Sequence, residues 1–268
     1  LDPEDFAPYM SDRGMAFRPQ RSARMLAEDE SITFEELMEY KHSTRLELAD
    51  RLLDDLFAAV DAHGSEKAKA AKAVLQAWDR ESDTDSRGTL LFYNWAMAMN
   101  LNNPANFATP WNPAEPIATP DGLAEPRKAA QVLEQVATEL EEKYGSMDIP
   151  WGDFYRLTYN GKDLPANGMD GSFGVFRVTW PGDGDGDRQF AGGGDSWVGA
   201  IEFGDQVKAR VLLSYGNATQ PDSPHNGDQM ELYSKKELRE AWFYPEAVQT
   251  NTVKTEILTE KGFEVMKK

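Results

Sequence analysis

The chain has 268 residues, 40% of them hydrophobic, and a formal net charge of -18. That is enough apolar material for one large or two ordinary globular domains, while the acidity repels phosphate backbones and anionic headgroups, so neither nucleic acid nor a membrane surface is an expected partner. Cysteine is absent, which excludes disulfides, thiolate metal sites and cysteine nucleophiles.

No run of 18 apolar residues occurs, and the opening Leu-Asp-Pro-Glu-Asp-Phe has neither a basic start nor an apolar stretch. Leu1 is not an initiator methionine, so a processed chain or a fragment is expected. The first two-fifths read as helix. From Thr33, Leu37, Tyr40, Leu46, Ala49, Leu53, Leu56 and Val60 keep a helical spacing, and Glu36 completes a capping box with Thr33. The pattern predicts one long helix closed by Gly64. Ser65 opens a shorter alanine-rich helix through Trp78, and residues 90–101 form a third apolar segment. Residues 102–122, crowded with Asn and Pro, predict an irregular surface connection. A last amphipathic helix sets Ala129, Leu133, Val136, Leu140 and Tyr144 on one face and ends at Gly145.

After Trp151 the composition turns to that of strands, at 173–180, 196–203 and 206–215. Between the first two, "PGDGDGDRQFAGGGD" (181–195) predicts a glycine-rich loop. A helical part over 1–150 followed by antiparallel strands over 151–268 is an α+β arrangement.

Three sets of residues could carry chemistry. Asp183, Asp185 and Asp187 alternate as at the start of a calcium loop, but Arg188 and Gly194 occupy positions where that template requires glycine and glutamate, so a solvated hairpin is expected. His42, His63 and His225 share no metal-ligand spacing, and the first two read as structural. Ser223, His225 and Asp228 supply the letters of a serine hydrolase triad within six residues. One proline separates the serine from the histidine, and no Gly-x-Ser-x-Gly elbow supports an exposed nucleophile.

The stretch "GGGDSWVGAIEFGDQVKARVLLSYGNATQPDSPHNGDQMELYSKKELREAWF" (192–243) resembles the C-terminal end of the penicillin acylase family, in the branch of acyl-homoserine-lactone and aculeacin-type acylases. A second similarity is Phe17-Arg18-Pro19-Gln20-Arg21-Ser22-Ala23-Arg24-Met25-Leu26, in which an arginine precedes a leucine by eight residues. The helix from Phe34-Glu35-Glu36-Leu37 resembles the one that follows in that family.

The resemblance implies an αββα N-terminal nucleophile hydrolase fold, incomplete in this chain. In such enzymes a precursor cuts itself and exposes a serine whose own α-amine, titrating at about 7.7–8.0, takes the hydroxyl proton; a backbone amide and an asparagine hold the oxyanion. Both the serine and the asparagine belong to segments before the one that matches Arg18, so the chain resembles the C-terminal half of a β-chain. The implied partners are an α-chain, the N-terminal half of the β-chain and a small N-acyl amide substrate such as an acyl-homoserine lactone, a penicillin or a lipopeptide. The implied location is periplasmic or secreted.

The same resemblance makes Arg18 and Glu202 the candidate catalytic residues. Arg18 would orient the substrate amide and stabilise developing negative charge, and Glu202 would steady a histidine from the preceding half. Catalysis would need no cofactor. The resemblance leaves a structural calcium open in the full enzyme, with Asp2 and Asp5 near the matching segment but no clear ligand set. The rival readings are a non-catalytic assembly module and a self-contained serine hydrolase built on Ser223 and His225.

Overall fold

Six helices make most of the first part of the fold: α1 Phe17–Ala27, α2 Phe34–Lys41, α3 Glu47–His63, α4 Glu66–Ala77, α5 Thr89–Ala98 and α6 Pro126–Tyr144; between α5 and α6, where an irregular connection was expected, the short strands β1 Phe107–Thr109 and β2 Asp121–Leu123 pair antiparallel. The computed structural model describes residues 15–101, 103, 106–259 and 262–266. In α3, Leu48, Leu52, Leu53, Leu56 and Val60 all lose their water contact, because helical spacing gathers them on one side. That side packs on α6, which also receives α4 and α5. Ala68 and Ala71 let α4 approach closely, and Ala129, Leu133, Val136 and Leu140 complete the seam from α6. Gly145 closes α6 in the left-handed conformation, at φ 76.

The short helix α7, Trp151–Phe154, leads directly into the hairpin of β3 (Tyr155–Tyr159) and β4 (Lys162–Pro165). A second hairpin pairs β5 (Thr179–Gly184) with β6 (Gln189–Gly194). The two hairpins join through a parallel contact of β3 with β6, giving a mixed sheet in the order β4-β3-β6-β5. A separate antiparallel sheet orders β7 (Trp197–Phe203), β8 (Val207–Leu213) and β9 (Arg239–Glu240), with β7 at one edge. Buried residues from Phe17 to Tyr233 form one core cluster, so helices and strands share a single interior.

The periodicity from Thr33 to Gly64 is divided between two helices. At residues 42–46 the chain leaves the helix and bonds to 80–82 instead: the Leu46 amide donates to the Arg80 carbonyl at 3.0 Å, and the Ser82 amide to the Thr44 carbonyl at 3.0 Å. The predicted capping box holds, since the Thr33 hydroxyl accepts from the Glu36 amide and the Glu36 carboxylate accepts from Thr33. The predicted strand at 173–180 forms only at its end. A 3-10 turn occupies Gly171–Phe173, and Gly174 takes φ +81 beside α1 and α3, where a Cβ would lie 2.5 Å from that of Glu47. The chain therefore threads between two helices, and its apolar alternation reflects that passage. Much of the predicted loop at 181–195 is itself the arms of the β5–β6 hairpin, and the expected antiparallel meander contains the parallel β3–β6 pair.

Candidate functional site

Arg18 projects from the first turn of α1 onto the 171–178 passage. Its Nε donates to the Phe176 carbonyl at 3.2 Å, and its guanidinium stands 4.8 Å from the centroid of the Phe176 ring. Its stem crosses Gly171, where a Cβ would lie 3.3 Å from the Arg18 Cδ. The arginine is thus held at its base and along one face, with no carboxylate in ion-pair range among the described residues. A guanidinium braced in this way can offer its remaining donors to an oxygen-bearing group.

One turn further along α1, an arginine cluster surrounds a buried carboxylate. Arg24 donates to Glu47 Oε1 at 2.8 Å and Arg51 donates to the same oxygen at 3.1 Å, while Arg21 stands 3.9 Å from Oε2. Arg51 also donates to the carbonyls of Ile117, Ala118 and Pro120, and Gln20 Nε2 donates to Thr119 O at 2.7 Å. These contacts tie the Asn/Pro connection to the helices that carry Arg18. Sequence reading missed Glu47; its one local signal was the Glu47–Arg51 spacing of four within a helix.

A polar cleft of about 700 Å³ opens between α2, the 42–46 break and residues 235–238. His42 lies at its wall, nearly buried, with its pKa lowered to about 4 by burial and by the cations Arg177, Lys41 and Lys236, against the opposing pull of Asp195. Glu81 shares the cleft, and burial together with Asp83 and Asp79 raises its pKa. Arg177 is fully buried behind the cleft, held by Asn167 Oδ1 and by the Tyr233 carbonyl at 2.7 Å. The structural reading of His42 accords with this enclosure.

Glu202 lies on the face of β7 that carries Val198 and Ala200, opposite Trp197, and pairs across the ladder with Lys208 at 3.1 Å. No described contact brings it to Arg18. Ser223, His225 and Asp228 do meet, but without triad geometry. Ser223 Oγ accepts from the backbone amide of His225 at 3.2 Å, while the imidazole Nδ1 faces Asp228 Oδ2 at 3.1 Å. The His225 side chain is 69% exposed. The anchors of this loop are Asn226 and Gln229: Asn226 Nδ2 donates to the Ala218 carbonyl at 3.0 Å, and Gln229 Oε1 accepts from the Leu213 backbone amide at 3.0 Å. Gly216 bends the loop at φ +80, where a Cβ would lie 2.2 Å from the His225 carbonyl oxygen.

Asp185 receives Arg188 at 2.7 Å at the exposed tip of the β5–β6 hairpin. Among the described residues no group of three or more His, Asp or Glu could hold a metal ion; Asp2 and Asp5 lie outside them. No described helix is long and apolar enough to cross a membrane.

These helices, sheets and the braced arginine describe an α+β chain. The penicillin amidase family matches residues 2–250, and the chain belongs to that family. It is 28% identical over 251 residues to the acyl-homoserine lactone acylase PvdQ of Pseudomonas syringae pv. syringae, covering 87% of this chain and 32% of the relative. It is 31% identical over 180 residues to the aculeacin-A acylase of Actinoplanes utahensis, covering 62% of this chain and 21% of the relative. A thermostable penicillin G acylase from Alcaligenes faecalis, solved in orthorhombic form, covers 94% of this chain and 53% of its own at 15% identity and a TM-score of 0.49. The chain spans about a fifth to a third of the length of these two curated relatives.

Proposed function

We propose that this chain is the C-terminal part of an acylase that hydrolyses the amide of an N-acylated substrate through an N-terminal serine supplied by a preceding segment. The observation that carries the reading is the family match over residues 2–250 in a chain much shorter than its curated acylase relatives. In this reading Arg18, braced by Phe176, orients the substrate amide and meets the charge that develops on its oxygen, and Glu202 exchanges Lys208 for a histidine of the preceding segment. The acyl pocket lies mostly outside the chain. Acyl-homoserine lactones, lipopeptides of the aculeacin type and penicillins are the substrate classes to test, in a periplasmic or secreted enzyme that needs no cofactor for catalysis.

The outer face of the β7–β8 ribbon supports assembly with that segment. Trp197, Ile201 and Phe203 are 54%, 42% and 83% exposed, and Leu213, Ala209 and Val207 stand opposite them in register. An apolar face of this kind marks a contact surface, and among the described residues no strand pairs with the outer edge of β7 beside it.

The test is to express the 268-residue chain and a version extended upstream in its reading frame, and to measure release of amine from each substrate class. Activity only in the extended protein, abolished when its exposed N-terminal serine is replaced by alanine, is the expected result. An extended protein without such a serine, or turnover by the 268-residue chain above a heat-inactivated control, would overturn the proposal.

A further inference from the structure

The polar cleft continues into an aromatic recess of about 230 Å³, and Arg210 and Glu35 line both. The recess is walled by Phe34 from the first turn of α2 and by Trp242 and Phe243 from the segment after β9. Tyr244 holds that segment in place by accepting the Val207 amide at 2.7 Å through its hydroxyl, and its ring packs edge-on against Phe243. At roughly 30 Å³ per water molecule, the space suits one ring on a short chain.

The charges at the junction are unusual. Arg210 has the Met38 sulfur as its hydrogen-bond partner, at 3.9 Å, and no carboxylate within ion-pair distance among the described residues. Glu240 stands opposite it in the ladder and Glu35 shares the groove, yet neither closes on the guanidinium. Lys208, the other cation there, is engaged by Glu202. The junction thus sets one guanidinium, without an ion-pair partner among the described residues, beside two carboxylates at the mouth of an aromatic recess. A simple anion would be attracted by Arg210 and repelled by Glu35 and Glu240; a simple cation would meet the reverse.

We infer that this groove binds a small zwitterion with a large apolar side chain, an aromatic α-amino acid. Its carboxylate lies on the Arg210 fork, which suits two parallel hydrogen bonds. Its ammonium faces Glu35 and Glu240, and its ring stacks among Phe34, Trp242 and Phe243. The inference rests on the groove alone and does not depend on amide hydrolysis, so a binding experiment tests it separately from the acylase reading.

The experiment titrates the 268-residue chain with L-phenylalanine, with 3-phenylpropionate, which lacks the ammonium, and with L-phenylalaninamide, which lacks the carboxylate. Binding is followed by calorimetry and by the fluorescence change lost in Trp242→Leu. Phenylalanine should bind at least tenfold tighter than either analogue. In Arg210→Met its advantage over the amide should disappear, and in Glu35→Gln/Glu240→Gln its advantage over 3-phenylpropionate should disappear, each variant keeping the wild-type circular dichroism spectrum. Equal binding of the three ligands to the wild-type chain, binding of phenylalanine that Trp242→Leu leaves unchanged by calorimetry, or no binding at millimolar concentration would overturn the inference. The ligand comparison on the wild-type chain stands even if a variant fails to fold.

Discussion

The guanidinium of Arg177 stands 4.2 Å from the centroid of the Tyr233 ring and donates through Nη2 to the carbonyl of the same residue at 2.7 Å. One side chain thus fastens the 174–178 passage to the short helix α8, Met230–Ser234, and to Asn167. Burial works against its charge and lowers its pKa, so removing the charge gains back some desolvation, but the Asn167 and Tyr233 oxygens would lose their donor. The unpaired acceptors outweigh the gain. Arg177→Met should lower stability by about 2 kcal/mol in denaturant unfolding, and a variant as stable as the parent would show that these bonds contribute nothing net.

His42 gives the fold a predictable acid sensitivity. Its pKa is about 4 in the folded chain, against about 6.5 when unfolded. The unfolded state therefore binds the additional proton, and stability present above pH 6.5 is lost as pH falls toward 4, by up to about 3 kcal/mol. Glu81 opposes this, since its raised pKa contributes stability at low pH that fades as pH rises through the folded value. Melting temperatures from pH 7 to 4 should fall more steeply for the parent than for His42→Gln; parallel curves would refute the assignment.

The loop at 215–229 should separate position from chemistry. Asn226 is buried, and besides its bond to Ala218 its side chain donates to the Tyr159 hydroxyl at 3.2 Å and accepts from Asn160 at 2.8 Å. Asn226→Ala should cost about 1–3 kcal/mol by stranding those partners. The exposed His225 should cost less than about 1 kcal/mol when replaced by alanine. In the extended protein, Ser223→Ala should leave kcat/KM within a few-fold. Loss of turnover in Ser223→Ala at unchanged melting temperature would make this loop catalytic.

Arg18 is braced rather than buried, which separates its two roles. In the extended protein Arg18→Ala should reduce kcat/KM by roughly a hundredfold or more, the scale of losing one transition-state donor. Its stability loss should be about 1 kcal/mol, from one hydrogen bond and one ring contact. Arg18→Lys should recover part of the melting temperature and little of the rate. A rate that follows melting temperature across both variants would mark the residue as structural only.

The β7–β8 outer face should govern solubility. Replacing Ile201 and Phe203 by threonine should reduce dye binding and self-association of the 268-residue chain, while Glu202→Gln, on the opposite face, should not. Light scattering and dye fluorescence report both, and an unchanged signal in the double variant would place the association elsewhere.

The helices were legible in the sequence because their signals are local. The Thr33–Glu36 box, the Ser65 cap and the Gly145 terminus act within a turn of where they are written, and the apolar faces of α3 and α6 repeat within a few residues. Family resemblance was legible too, since the motifs around Arg18 and from 192 to 243 are read residue by residue. The break at 42–46, the path of 173–178 and the parallel β3–β6 contact were not. Each exchanges a local backbone pattern for partners distant in the chain, as when the Ser43 carbonyl accepts the amide of Arg177 at 2.9 Å. The same holds for Glu47 and His42. A helix-surface glutamate and a buried one carry the same letter; it is the approach of α1 that brings Arg24 onto Glu47, and the approach of Arg177 and Lys236 that adds to the neighbouring Lys41 around His42. Periodicity specifies which residues turn inward; long-range packing decides what they meet there, because burial and pairing of charge depend on elements that local sequence does not position.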